Sequence, residues 1–162
     1  MRMLASERMT PEHIDPHEAA NFASTIEEMD VDCDIGNGWA DEQWNCLGVR
    51  NAEGRLISYM VGKQRDESCY FVWLCATLPE ARGQGCAKAL LAAHEAIACS
   101  QDCEWLLIDS KNKYPAMIIT LVKSGYKIWR VKERESDDRH SIQFRKSLAN
   151  TASHGTALPR RP

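Results

Sequence analysis

No apolar run in this chain approaches the roughly 20 residues that a membrane-spanning helix needs. There is no C-x-x-C pair and no Cys/His spacing of a zinc site, and no metal ligand set is read, although seven cysteines are present, at 33, 46, 69, 75, 86, 99 and 103. An odd count, lying mostly inside apolar segments, fits reduced, buried thiols in a cytoplasmic protein better than a disulfide framework. The first residues carry no charged-then-apolar targeting pattern. Charge of either sign is not in large excess: the net charge is −3, too near balance to imply a nucleic-acid or membrane partner. Internal repeats are absent. The 162 residues suit one domain large enough for its own core.

Both common nucleotide motifs are missing too. A P-loop needs G-x-x-x-x-G-K-[ST] and a dinucleotide fold G-x-G-x-x-G, whereas here Gly83-Gln84-Gly85 is followed by Cys86-Ala87-Lys88. What is there instead is an apolar strand pattern entering Leu78-Pro79-Glu80-Ala81-Arg82-Gly83-Gln84-Gly85 and an amphipathic helix pattern leaving it. Two glycines let the backbone bend tightly and approach a ligand without side chains in the way. The helix start that follows offers unpaired N–H groups and the positive end of the helix dipole, which together make an anion cradle. Arg82 and Lys88 add full positive charges at either end.

Along the chain, Met1 to Met9 reads as a first strand ended by Thr10-Pro11. A helix starts near Asp15, with Ala19, Phe22, Ala23 and Ile26 on one face. A polar loop over Asp30 to Asn37 precedes a short helix around Trp39 to Gln43. Strands over Asn45 to Val49 and Leu56 to Gly62 flank the turn Asn51-Ala52-Glu53-Gly54, and Arg65 to Ser68 turns into an apolar strand, Cys69 to Thr77, of the kind covered on both faces. The helix after the cradle covers Ala87 to Cys99, with Leu90, Leu91, His94, Ile97 and Ala98 on its apolar stripe. His94 reads as a core-edge histidine with one hydrogen bond rather than a catalytic group. A strand over Cys103 to Asp109, a polar connection over Ser110 to Lys113, and a helix from Pro115 to Gly125 packed through Met117, Ile118, Leu121 and Val122 come next. Strands over Tyr126 to Arg134 and Ser141 to Lys146 close the pattern, and residues 149–162 read as a disordered tail.

The string Arg82-Gly83-Gln84-Gly85-Cys86-Ala87 resembles the acyl-CoA signature R/Q-x-x-G-x-G/A of the GNAT superfamily of N-acyltransferases, and the order of elements is similar to that fold over about residues 2 to 148. Asn112 to Tyr126 resembles the family's later helix, N-x-x-A-x-x-L-Y-x-x-x-G-F, with Gly125-Tyr126 at its end. Two departures stand out: Asn112 and Ala116 are one residue too far apart, and Leu121 occupies the tyrosine place. The resemblance implies an α+β (three-layer α/β) domain over residues 1–148, a mixed sheet of six to seven strands with helices on both faces. It implies that acetyl-CoA is the cosubstrate, with no metal. Its pantetheine would pair with backbone around Cys75, Ala76 and Thr77. Its pyrophosphate would lie on Arg82, Gly83, Gln84, Gly85, Cys86, Ala87 and Lys88, with Asn112 nearby.

The same resemblance implies direct attack by an amine on the thioester, a base for its proton and an acid for the leaving thiolate. The family's glutamate place is Cys69; Glu67, two residues earlier and on the same strand face, is the candidate base, against its plain reading as a solvated turn residue. Tyr114 is the candidate acid, against a structural tyrosine. Met1 to Gln43 holds eleven carboxylates against two arginines, a net of −9, so the rest of the chain carries +6. Since the first helices wall the acceptor groove in this family, a cationic small-molecule or peptidic amine is the expected acceptor. A homodimer is left open. Two other readings are kept: a CoA-binding module without turnover, and a modifier of protein or charged tRNA suggested by Arg130, Lys132, Arg134, Arg139, Arg145, Lys146 and Arg160-Arg161.

If the cradle holds the phosphates, Gly85→Glu abolishes acetyl-CoA binding in calorimetric titration while the circular dichroism spectrum stays that of the parent. Unchanged affinity in a folded variant places the phosphates elsewhere.

Overall fold

The computed structural model describes residues 9–26 and 43–149. In chain order their elements are β1 (Glu12–His13), α1 (Pro16–Ser24), β2 (Asn45–Arg50), β3 (Leu56–Asp66), β4 (Cys69–Thr77), α2 (Cys86–Ser100), β5 (Trp105–Lys111), α3 (Pro115–Lys123), β6 (Lys127–Lys132) and β7 (Ser141–Ser147). The strands form one seven-stranded sheet in the order β1-β2-β3-β4-β5-β7-β6. Every neighbouring pair is antiparallel except β4 with β5, which run parallel.

Local chemistry explains most boundaries. Asp15 caps α1, its carboxylate accepting from the His17 N–H at 2.7 Å, and Pro16 fills the first turn where no N–H partner is needed. Asn51 closes the β2–β3 turn, accepting from the Gly54 N–H at 2.9 Å through its backbone and from the Arg55 N–H at 2.9 Å through its side chain. Pro115 opens α3, and Gly125, at φ +88°, ends it.

Some expectations are corrected. The first strand among the described residues lies beyond Thr10-Pro11, as two residues paired with Leu47 and Gly48; the strand expected over Met1 to Met9 falls, but for Met9, outside the described residues, as do the loop and most of the short helix expected before Gln43. β3 runs on to Asp66, because hairpin pairing with β4 carries it past Gly62. β5 starts two residues later than expected and takes in Ser110 and Lys111, since β7 pairs with it to the end. Val122 is 54% exposed, so α3 packs through Leu121, with Met117 and Ile118 half-buried.

Partners in register share a sheet face, which places the helices. Phe22 of α1 meets Tyr59 edge-on at 5.4 Å, on the face that also carries Val61 and Gly48. α2 packs on the other face, where His94 reaches Tyr70 and the Met60 carbonyl. α3 lies beside it: the Tyr126 hydroxyl just past its end donates to Glu95 of α2 at 2.9 Å, and Glu95 also pairs with Lys146 at 2.8 Å. Helices therefore cover both faces.

His94 is fully buried and makes two hydrogen bonds, not one. Nε2 donates to the Met60 carbonyl at 3.2 Å, which leaves Nδ1 to accept from the Tyr70 hydroxyl at 2.9 Å; that oxygen accepts in turn from Asn45 at 3.0 Å. Gly62 makes room, since a Cβ there would stand 2.7 Å from the Tyr70 ring and 3.1 Å from the Phe71 carbonyl.

Burial pulls the His94 pKa down to about 4, against the opposing pull of the Met60 carbonyl. The unfolded chain therefore takes up a proton that the folded one refuses between about pH 6.5 and 4, and stability contributed above that window is lost as pH falls through it. The loss amounts to on the order of 3 kcal/mol by pH 4. Urea titrations of the parent and of His94→Gln across this range check it: the parent's stability falls more steeply with acid than the variant's. Parallel slopes would mean that His94 titrates normally.

Candidate active site

The geometry that matters begins where β4 and β5 stop pairing. Their parallel register covers four pairs, Cys69 with Trp105 through Val72 with Ile108, and then ends, although each strand continues. On the other side of β4, Gly62 faces Val72 and Val61 faces Leu74, so Trp73 is an extra residue, a β-bulge. A bulge bends and twists its strand, and this one sits at the point where β4 leaves β5. Past it, Leu74 to Thr77 pair with β3 alone and, with Trp73, present their second edge, half-buried, to a wedge whose other side is Asp109 to Lys111. Trp73 is held there by Trp44, ring to ring at 5.4 Å, with the Lys63 ammonium 4.3 Å above the Trp44 ring.

The open end of the wedge meets the cradle. After β4 the chain makes a single 3-10 turn, Pro79–Ala81, and passes through Gly83 and Gly85, both left-handed at φ +77° and +92°. A Cβ at either would meet no atom within 4 Å, so these glycines serve backbone conformation rather than packing. The first intrahelical bond of α2 runs from the Ala89 N–H to the Gly85 carbonyl, at 3.0 Å. The N–H groups of Cys86, Ala87 and Lys88 thus lie at the helix start, with no side-chain cap and no acidic residue in the first turn. Glu80, three residues before Gly83, pairs with Arg55 at 3.2 Å. Arg82 donates to the Thr77 carbonyl at 3.3 Å, and Lys88 is exposed beside it. The arrangement fits an anion at the helix start and an extended, amide-bearing arm along the free edge of β4.

Ser110 adds a sharper sign. It lies two residues past the last β4–β5 pair, on the face shared with α2, and its hydroxyl is buried without a hydrogen-bond partner. An orphaned buried donor beside an open strand edge is satisfied once a polar ligand fills the wedge. Sequence reasoning missed it by ending the strand at Asp109.

Cys75, Ala76 and Thr77, the loop residues Arg82 to Lys88, and Tyr114 are brought together at this end of the sheet. Tyr114, half-buried, precedes the first turn of α3, with Lys113 5.1 Å from its ring centre. Asn112 is at the mouth, but its amide donates to the Asp137 carbonyl at 2.9 Å, tying this turn to the segment before β7. Glu67 is not brought there. It stands exposed in the β3–β4 turn, eight β4 residues below Thr77 and on the order of 3.3 Å per residue away, beside a cleft of about 550 Å³ lined also by Lys63, Gln64 and Asp66. Leu121 is fully buried. Of the acidic residues expected to wall an acceptor groove, Glu12 and Glu18 both bind Arg50 and Asp15 caps α1; Asp30, Asp32 and Asp34 lie outside the described residues.

Burial raises the thiol pKa of Cys75 to about 12, with Cys86 a smaller cause, and raises that of Cys86 as well. Neither sulfur near the cradle is a thiolate at neutral pH. Among the described residues the six cysteines are free, no group of potential metal ligands occurs, and no helix is long and apolar enough to cross a membrane.

A wedge between parallel strands opens onto a glycine-bent helix start. The sequence model of the GNAT acetyltransferase family matches residues 7–116, and the chain belongs to that family. Solved structures with the same fold include the IAA acetyltransferase of Bacillus cereus, 14% identical with a TM-score of 0.68 over 85% of this chain and 98% of that one. A spermidine N-acetyltransferase chimera from Vibrio cholerae and human sequences is 9% identical with a TM-score of 0.65 over 88% and 97%. A GNAT acetyltransferase from Elizabethkingia anophelis with acetyl-CoA bound is 14% identical with a TM-score of 0.57 over 64% and 76%. No curated protein matches the chain.

If the Ser110 hydroxyl is a ligand contact, Ser110→Ala leaves the melting temperature of the free protein unchanged or higher, since it removes an unsatisfied buried group. The same change weakens acetyl-CoA about fivefold, the worth of one hydrogen bond of about 1 kcal/mol. Equal affinity in calorimetry would make the hydroxyl a packing accident.

Proposed function

We propose that this chain is an acetyl-CoA-dependent N-acetyltransferase that acetylates a primary amine, a cationic small molecule or a lysine side chain, by direct attack within a ternary complex. The observation that carries the reading is the free edge of β4 from Trp73 to Thr77, running into the uncapped start of α2. The N–H groups of Cys86, Ala87 and Lys88, reached through Gly83-Gln84-Gly85, take the pyrophosphate, and Arg82 and Lys88 supply charge. The backbone of Cys75, Ala76 and Thr77 takes the arm as an added strand would, and an N–H near the bulge polarises the thioester carbonyl.

The thiols support direct attack. A covalent acyl-enzyme needs an activated nucleophile, and the pKa values of Cys75 and Cys86 are raised rather than lowered. Tyr114, at the mouth, remains the candidate donor to the leaving thiolate. The amine acceptors in the names of structural neighbours, spermidine among them, support this reaction class through shared fold alone.

Incubation with acetyl-CoA and a panel comprising spermidine, a lysine-containing peptide and an aminoglycoside, with thiol release monitored, should show turnover with KM values in the range of about 1 μM to 1 mM. Acetyl-CoA alone should leave the intact protein mass unchanged. An acetyl adduct on the protein would overturn direct attack, and binding of acetyl-CoA without turnover on any amine would favour a non-catalytic CoA-binding module.

A further inference from the structure

We propose that Asp109 is the base that accepts the proton of the attacking amine, and that its carboxylate selects an acceptor bearing an ammonium group. The inference rests on the transferase reading above and deepens it.

Three observations place Asp109. It is the first residue of β5 after the last pair with β4, so it flanks the apex of the wedge, opposite the bulge at Trp73. An arm entering from the cradle along Thr77 to Trp73 ends at that apex, which puts its reactive end beside Asp109. Second, Asp109 pairs with Gln143 on the face opposite α2 and α3, so an acceptor arriving from the α1 side meets this carboxylate while the arm and cradle occupy the other approach. Third, β4, β5 and β7 flank or back the wedge, and Asp109 is the one carboxylate in their 23 residues; the turn acids Asp66 and Glu67 lie at the far end of β4.

Its surroundings suit the task. The Gln143 amide donates to one carboxylate oxygen of Asp109 at 2.9 Å, fixing the side chain and leaving the second oxygen for the acceptor. Asp109 is half-buried, so an ammonium pairing with it is partly shielded from solvent. The charged groups that β5, β7 and β6 place on this face are Lys111, two residues on, Arg145, which is drawn over the Trp129 and Trp105 rings at 3.4 and 4.7 Å from their centres, and Lys127, Arg130 and Lys132, which pair with Arg145, Gln143 and Ser141.

The reaction balances as follows. An ammonium docked on Asp109 first passes one proton through the carboxylate to water, which frees the nitrogen lone pair; the neutral amine then forms the N–C bond, and Asp109 takes the second nitrogen proton, directly or through one water. That transfer becomes favourable because nitrogen acidity rises as the bond forms. The C–S bond then breaks, CoA leaves as thiolate, and the thiolate takes a proton from Tyr114 or water. The products are the N-acetyl amine and CoA, with no oxidant, reductant or metal needed.

The test uses the full chain, acetyl-CoA and each panel amine that the parent turns over. Asp109→Asn, which keeps the size of the side chain and an oxygen for Gln143, should lower kcat about a hundredfold or more, with acetyl-CoA affinity in calorimetry within threefold of the parent. The residual rate should climb with pH toward the free amine's own pKa, about 10.4 for a lysine-type amine; damage to the fold would not be rescued in this way. Retention of kcat within threefold in Asp109→Asn overturns the proposal while leaving the transferase reading intact. So does a larger loss in Glu67→Gln than in Asp109→Asn, which would return the role to the β3–β4 turn. A parent that binds acetyl-CoA yet turns over none of the amines overturns both.

Discussion

Everything about the site depends on a parallel strand pair that is made and then abandoned. Four residue pairs hold β4 to β5, enough to bury Val72, Leu106 and Ile108 between the helix layers, and the bulge at Trp73 then turns β4 away. Had the pairing continued, the edge from Trp73 to Thr77 would be satisfied by β5 and no ligand could add to it. A parted pair in mid-sheet exposes backbone donors and acceptors inside the protein, where they cost free energy until something polar meets them. The Ser110 hydroxyl is a side-chain instance of the same debt.

The wedge keeps its shape because the surrounding sheet is rigid in ways that do not involve the ligand. Below the bulge, Asn45, Tyr70, His94 and the Met60 carbonyl form a hydrogen-bonded chain linking β2, β3, β4 and α2. Such a network fixes register, because a slip of β4 by one residue would turn Tyr70 to the other face and leave His94 Nδ1 without its partner. Above it, the Trp44–Trp73 contact fixes the bulge from the α1 side. On the β7 side, Glu95 joins α2 to Tyr126 and Lys146, so β7, which backs β5, cannot drift relative to the helix layer. Lys146, one of the basic residues that suggested a macromolecular substrate, serves here as a strut, and Arg145 is likewise committed to the Trp105 and Trp129 rings.

What could be read from the sequence is what neighbouring residues decide among themselves. β4 occupies Cys69 to Thr77 as its unbroken apolar run indicates; α3 starts at Pro115 and stops at Gly125, because a missing N–H and a left-handed φ act within one turn. The bend before α2 was readable for the same reason: two glycines and a capless helix start are local properties. The chemistry opposite the cradle was not. Glu67 was singled out by its spacing along one strand, but strand spacing gives a face and not a distance from the wedge, and the turn holds it at the wrong end.

Only the tertiary structure decided where β4 and β5 part, since that depends on how β3 and β7, distant in sequence, grip each of them. It decided that Ser110 belongs to a strand and has no partner, that His94 is fully buried with two, and that Asp109 stands at the apex facing Gln143. The order of elements, the helix caps and the glycine-bent start of α2 were determined by the sequence itself, through backbone preferences and hydrogen bonds that close within a few residues. Register, the bulge and the burial of single polar side chains follow from pairing across the whole sheet, a balance of many weak non-local contacts that no short stretch of sequence contains.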